Sequence, residues 1–140
     1  MSAGDVAPHK PLILLVDDFD DARDIYATYF AHHGYPVECA ANGQEAIDAA
    51  RVRRPSVILL DLRMPGLTGT EAMRALRSDP EFKDVPIVAF TAHALDDERA
   101  AALRAGFDAV IAKPCLPDDL LRLVELLLTR WENGQPQNAG

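Results

Sequence analysis

A short apolar run recurs five times along this chain, and no other feature limits its fold so strongly. The runs are Leu12-Ile13-Leu14-Leu15-Val16, Pro36 to Ala40, Val57-Ile58-Leu59-Leu60, Pro86-Ile87-Val88-Ala89-Phe90 and Ala109-Val110-Ile111. A strand that is apolar at successive positions has to be covered on both faces, which is the situation of a strand inside a parallel sheet. The second run is less apolar, and Pro36 suits an edge position or a strand start.

Each run is followed by a stretch with helical spacing. Ala22, Ile25, Tyr26, Tyr29 and Phe30 share one helical face, Asp20 and Asp21 sit at the positive end of that helix, and Gly34 supplies the stop. Asn42 followed by Glu45 resembles a capping box ahead of Ala46, Ile47 and Ala50, and Pro55 ends that segment. A short helix is expected over Glu71 to Arg77, broken by Ser78-Asp79-Pro80. Another is expected over Asp96 to Ala105 with Gly106 as its cap. The last begins near Pro117 and runs through Leu120, Leu121, Leu123, Val124, Leu127 and Leu128. Five strand–helix units in this order predict a doubly wound α/β sheet, with right-handed crossovers placing helices on both faces.

The whole-chain properties narrow the function. The 140 residues suit one domain over 10–129, between a flexible N-terminal segment 1–9 and a flexible tail 130–140. The net charge of −8 argues against direct nucleic-acid binding, which depends on phosphate neutralisation by Lys and Arg. The densest basic run, Arg51, Arg53 and Arg54, is short. Cys39 and Cys115 are too few and too far apart for a disulfide framework or a zinc site, and read as reduced thiols of a cytoplasmic protein. No leader is visible, and the apolar run of Leu12 to Val16 falls far below the roughly 20 residues of a membrane span.

In an open α/β sheet, ligands bind outside the carboxyl ends of the strands. The notable polar residues stand there: Asp17 and Asp18 after the first run, Asp61 after the third, Thr91 after the fourth and Lys113 after the fifth. If the first and third strands are neighbours, three carboxylates meet in one small pocket and repel one another. A hard cation such as magnesium relieves that conflict, because it takes one or two carboxylates together with waters and phosphate oxygens. One carboxylate then remains to attack phosphorus, a known use of Asp. Lys113 can neutralise phosphoryl charge, the Thr91 hydroxyl can donate one hydrogen bond, and Ala92 leaves room beside it. Taken singly, each residue has a plainer explanation as a loop residue, a helix cap or a solvated charge. Asp20, Asp21, Asp96 and Asp97 are assigned to that plainer class. The joint placement at successive strand ends is what singles out the others.

The acidic pair in LLVDDF, the aspartate in ILLDLRMPGLTG, the threonine and alanine in VAFTA and the lysine–proline of VIAKP resemble the receiver domains of two-component response regulators. The resemblance covers Lys10 to Leu128 and implies a flavodoxin-like five-stranded parallel sheet of order 2-1-3-4-5. It implies that Asp61 is the phosphoacceptor, that Asp18 binds magnesium directly and Asp17 through water, and that the backbone carbonyl of Arg63 completes the ligands. Manganese would serve as a substitute. Thr91, Ala92 and Lys113 would surround the phosphoryl oxygens, and the Lys113–Pro114 bond would be cis. The donor would be a sensor histidine kinase or a histidine phosphotransfer protein. The downstream protein target would meet the face formed by the fourth helix, fifth strand and fifth helix, where a phosphorylation-dependent homodimer could also form.

Such a protein is a phosphorylation-dependent switch, not a turnover enzyme. The short segment after the last helix is expected to mark a stand-alone receiver, and the alternative is a phosphorylation-independent interaction module. A magnesium-dependent phosphatase would want a second aspartate where Arg63 stands, and P-loop nucleotide binding lacks its glycine-rich segment. Two departures stand out. Val110 occupies the place where receivers commonly carry an aromatic switch residue, so activation would pass through Thr91 and loop movement. Arg63 and His93, each two residues beyond a site residue, are candidates for setting the lifetime of the phosphorylated state.

Overall fold

The computed structural model of the protein describes residues 11–92 and 94–132, the side chains of 130–132 excepted. His93, the segment 1–9 and most of the tail assigned to 130–140 lie outside the described residues. The elements in chain order are β1 (Ile13–Val16), α1 (Asp20–His32), β2 (Val37–Ala40), α2 (Gly43–Val52), β3 (Val57–Leu60), α3 (Gly69–Arg77), a single 3-10 turn at Pro80–Phe82, β4 (Ile87–Thr91), α4 (Asp96–Ala105), β5 (Ala109–Ala112) and α5 (Pro117–Glu132). The strands form one parallel sheet of order β2-β1-β3-β4-β5. This is the doubly wound architecture expected from the alternating runs.

Side chains alternate across a strand, so a fully apolar strand feeds two cores. Leu14, Val16, Ile58, Leu60, Ile87 and Ala89 pack with α2, α3 and part of α4 on one face. Ile13, Leu15, Val57, Leu59, Val88 and Phe90 pack with Tyr26 and Phe30 of α1 and with Leu120, Val124 and Leu127 of α5 on the other. Burying each large aliphatic or aromatic side chain is worth about 1.5–3 kcal/mol, so the two cores together make the sheet the stable frame on which the loops are hung.

The helix ends show how the chain enters and leaves this frame. Asn42 accepts from the Glu45 amide, but the Glu45 carboxylate reaches the amide of Ala41, one residue earlier than in a standard capping box. A complete box starts α3 instead: the Thr68 hydroxyl accepts from the Glu71 amide while the Glu71 carboxylate accepts from the Thr68 amide. This box starts α3 at Gly69, two residues before the expected start at Glu71. Asp20, Asp21, Asp96 and Asp97 do not cap. The N-cap positions belong to Phe19 and Leu95 without side-chain caps, and the aspartates lie in the first turns, where they meet the positive helix ends. α5 continues to Glu132.

The amino end of the sheet is closed by Arg77, the last residue of α3. One guanidinium nitrogen donates to the carbonyls of Phe82 (3.1 Å), Lys83 (3.3 Å) and Val85 (2.6 Å). The other donates to the Asp108 carboxylate at 2.7 Å and to the Gly106 carbonyl at 3.4 Å. The same Asp108 oxygen accepts the Ile87 amide at 2.8 Å, joining the starts of β4 and β5.

Candidate functional site

The strand register brings the polar residues together. Val16 of β1 lies beside Leu60 of β3, so Asp17 and Asp61 leave the sheet at the same level. The Asp61 amide donates to the Val16 carbonyl and the Asp17 amide to the Ala40 carbonyl, which extends the ladder by one residue past each strand. Thr91 pairs with Ala112, and the Lys113 amide donates to the Thr91 carbonyl at 2.8 Å. The carboxyl ends of β1, β3, β4 and β5 therefore bring Asp17, Asp61, Thr91 and Lys113 to one end of the sheet.

Among the described residues, the buried polar or charged side chains are Asp17, Asp61 and Thr91. All three stand at this end of the sheet. Burying ionisable and hydroxyl groups is costly unless they are paired, and here they are. Lys113 donates through Nζ to Oδ2 of Asp17 and, at 3.1 Å, to Oδ2 of Asp61. The remaining oxygens face backbone: Asp17 Oδ1 accepts the Phe19 amide at 2.9 Å, and Asp61 Oδ1 accepts the Arg63 amide at 3.2 Å. Burial pushes the Asp61 carboxyl above its ordinary value, and the charge of Asp17 adds to this. Lys113 and the Arg63 amide pull the other way and lose. Burial alone would lower the Lys113 ammonium, but its hydrogen bond to Asp17 and the charges of both aspartates raise it.

Asp18 stands exposed beside this pair, and one oxygen from each of Asp17, Asp18 and Asp61 falls within 4.8 Å of the others. Three hard oxygen donors with one side open to water suit a magnesium-sized cation, which keeps part of its hydration shell. The donor set therefore fits the group that the resemblance implies. The excess of carboxylates over the one ammonium supplies the negative field for it.

The other singled-out residues are distributed around this centre. The Arg63 side chain points away and pairs with Glu98 of α4 at 3.2 Å. Ala92 is exposed just beyond Thr91. The Lys113–Pro114 peptide bond is cis. Val110 is buried on the α2–α4 side of the sheet, in the same cluster as Phe107. Cys39 lies on the edge strand β2 and Cys115 after the opposite edge strand β5, and both thiols are free.

Two supports of the site escaped the reading of the sequence. Tyr26 of α1 donates its hydroxyl to the Cys115 carbonyl at 2.7 Å and packs its ring edge-on against Phe90 at 5.1 Å. Lys113 Nζ sits 5.1 Å from the centre of that Phe90 ring, so α1 braces the loop that carries the lysine. The apolar spacing located Tyr26 but said nothing of its hydroxyl. The second support is Gly69. A Cβ there would stand 2.1 Å from the Asp61 carbonyl and 2.7 Å from Leu62 Cα, both backbone atoms that cannot turn aside. The Thr68-x-x-Glu71 pattern was the available signal, since a capped helix start directly after the loop forces this close approach. Gly69→Ala is expected to cost about 2 kcal/mol through overpacking and to weaken magnesium binding, checked by urea denaturation and metal titration of the same samples.

The family model for the response regulator receiver domain matches residues 13–125. The response regulator MprA of Mycolicibacterium vanbaalenii is 40% identical over 118 residues, which is 84% of this chain and 50% of that protein. The chain thus spans about half the length of that relative. Among solved structures, the chemotaxis response regulator CheY4 of Vibrio cholerae matches with a TM-score of 0.80 at 30% identity, over 84% of this chain and 98% of that one. The receiver domain of the sensor histidine kinase PA1611 of Pseudomonas aeruginosa, solved with a magnesium ion coordinated in its active-site cleft, matches with a TM-score of 0.79 at 33% identity. That match covers 86% of this chain and 98% of that one. No helix among the described residues is long and apolar enough to cross a membrane.

Proposed function

The chain belongs to the response regulator receiver family of two-component signalling, and from that premise we propose that it is a switch phosphorylated on Asp61 in a magnesium-dependent reaction. The observation that carries this reading is the cluster of Asp17, Asp18 and Asp61 within 4.8 Å of one another, with the Lys113 ammonium in contact with two of them.

An Asp61 carboxylate oxygen attacks the phosphorus of a donor, the new O–P bond forms, and the bond to the donor breaks with its electron pair leaving on the donor atom. A phosphohistidine of a sensor kinase or phosphotransfer protein is such a donor, and acetyl phosphate is a small one. Phosphoryl transfer asks the protein for alignment and for cations around the equatorial oxygens. Lys113 already reaches Asp61 Oδ2, so a group built on that oxygen comes within range of its ammonium. Thr91, buried at the end of β4, offers a hydroxyl to another oxygen, and the exposed Ala92 leaves space for the group. Asp17, Asp18, Asp61 and the Arg63 carbonyl would hold magnesium, which when bound offsets the negative charge of the carboxylates and the incoming phosphoryl group. The new charge on Asp61 then shifts a conformational population that partners read at α4, β5 and α5.

Incubation with magnesium and acetyl phosphate, followed by intact mass, tests this. A phosphate-sized adduct on the wild type and none on Asp61→Asn is the expected result. Absence of an adduct on the wild type, together with failure to bind beryllofluoride, would replace this reading with that of a phosphorylation-independent interaction module.

A further inference from the structure

Two consecutive residues of α4 tie that helix to different neighbours. Glu98 accepts from the Arg63 guanidinium at 3.2 Å, and the Arg99 guanidinium donates to the Val110 carbonyl of β5 at 2.8 Å. Arg63 is also bound at its other end, since its backbone amide donates to Asp61 Oδ1 at 3.2 Å. One residue thus has its main chain on the Asp61 carboxylate and its charge on α4. The Arg99 bond lands on the strand position where this chain has valine in place of an aromatic.

We propose that Glu98 is a positioning residue that holds the Arg63 guanidinium away from Asp61, and that a phosphoryl group on Asp61 takes Arg63 from Glu98 and so releases α4 from the phosphoacceptor loop. The exchange rests on Asp61 carrying the phosphoryl group, as proposed above. Its physical basis is a competition between two anions for one cation. The Arg63–Glu98 pair is largely exposed, with 63% and 34% of the two side chains accessible, and such pairs are weak. A phosphoryl group brings a charge of about −2 and three strong acceptor oxygens. It would stand on the carboxylate that the Arg63 amide already touches, and a guanidinium binds such oxygens in bidentate fashion. With Glu98 released, Arg99 remains as the hinge on β5, so α4 gains freedom at its amino end while keeping its attachment to the sheet.

The exchange makes Glu98 a competitor of the phosphoryl group for Arg63, and a double-mutant cycle reads that competition. Beryllofluoride with magnesium is titrated calorimetrically into the wild type, Glu98→Gln, Arg63→Gln and the double variant. Glu98→Gln is expected to bind beryllofluoride about two- to fourfold more tightly than wild type, the factor an exposed ion pair supplies. Arg63→Gln binds more weakly, and adding Glu98→Gln to it changes nothing. Amide exchange over the first turns of α4 is expected to rise on beryllofluoride binding to the wild type and to be raised already in unliganded Glu98→Gln. No tightening in Glu98→Gln overturns the exchange. Equal tightening in both Arg63 backgrounds also overturns it, because that is a general effect of removing a negative charge. Unchanged α4 exchange in all states overturns the release. If the wild type binds no beryllofluoride and gains no phosphate mass, the role of Asp61 falls and the exchange falls with it. Binding without coupling removes the exchange alone.

Discussion

Asp61→Asn is expected to raise the thermal midpoint of the metal-free protein while abolishing phosphoryl uptake. Asp61 is 7% exposed, and its carboxylate shares a single ammonium with Asp17. Asparagine keeps the shape and removes one of the two buried negative charges, and Lys113 retains its bond to Asp17, so no charge is orphaned. Relief of that repulsion and desolvation is expected to stabilise the fold by on the order of 1 kcal/mol, which is roughly 4 °C in a domain of this size. The sign reverses with magnesium. A ligand at a hundredfold its Kd stabilises the native state by about 2.7 kcal/mol, and the variant, lacking one carboxylate of the three, gains less of it.

The pH dependence follows from the raised carboxyl of Asp61. Its folded state binds the proton more tightly than the unfolded chain, so the metal-free wild type loses stability as pH rises through the window between the ordinary carboxylate value and the raised one. The advantage of Asp61→Asn is therefore absent in acid, below that window, and complete above it. Differential scanning calorimetry across this range, with a chelator present, checks both statements. A variant less stable than wild type at neutral pH would show instead that the pairing with Lys113 outweighs the burial of the charge.

Arg77→Ala is expected to lower stability by about 3 kcal/mol, the low end of the range found when one partner of a buried ion pair is removed, since both side chains of this pair are only partly buried. The alanine leaves the Asp108 carboxylate, only 10% exposed, with the Ile87 amide as its remaining described partner, and it leaves the carbonyls of Phe82, Lys83 and Val85 without the guanidinium. Lysine keeps the charge but not the planar fork that reaches several carbonyls at once, so Arg77→Lys recovers less than half of the loss. Urea denaturation measures both. The network lies at the opposite end of the sheet from Asp61, so phosphoryl uptake per folded molecule is expected to match wild type. A loss under about 1 kcal/mol, the value of an exposed pair, would mean that water replaces the guanidinium at these carbonyls.

Much of this protein was legible without coordinates. The continuous apolar runs announced strands buried on both faces, the periodic stretches between them announced helices, and the alternation announced a parallel sheet, because each of these is a property of neighbouring residues. Asp17, Asp18, Asp61, Thr91 and Lys113 could be singled out for the same reason: each closes a strand or lies within two residues of its end, and the carboxyl ends of a parallel sheet lie on one side. What the pattern did not contain was the neighbour relation between strands. Asp17 and Asp61 become a pair because β1 lies beside β3, and Lys113 reaches them from a position 96 and 52 residues further along.

Boundaries and supports were hidden for a related reason. The start of α3 at Gly69, ahead of the expected Glu71, follows from reciprocal hydrogen bonds between Thr68 and Glu71. Gly69 looked like any loop glycine until the Asp61 carbonyl was found where its Cβ would be. Nothing in the local sequence marks Arg77 or Glu98, because the groups that give them meaning lie up to 31 and 35 residues away. The sequence by itself determined the succession of elements, the buried faces and the chemistry available at the strand ends, since hydrophobic period and residue type act locally. Only the tertiary structure decided that Lys113 bridges Asp17 and Asp61, which glycine a backbone crosses and which arginine closes the sheet, because those depend on packing between segments far apart in the chain.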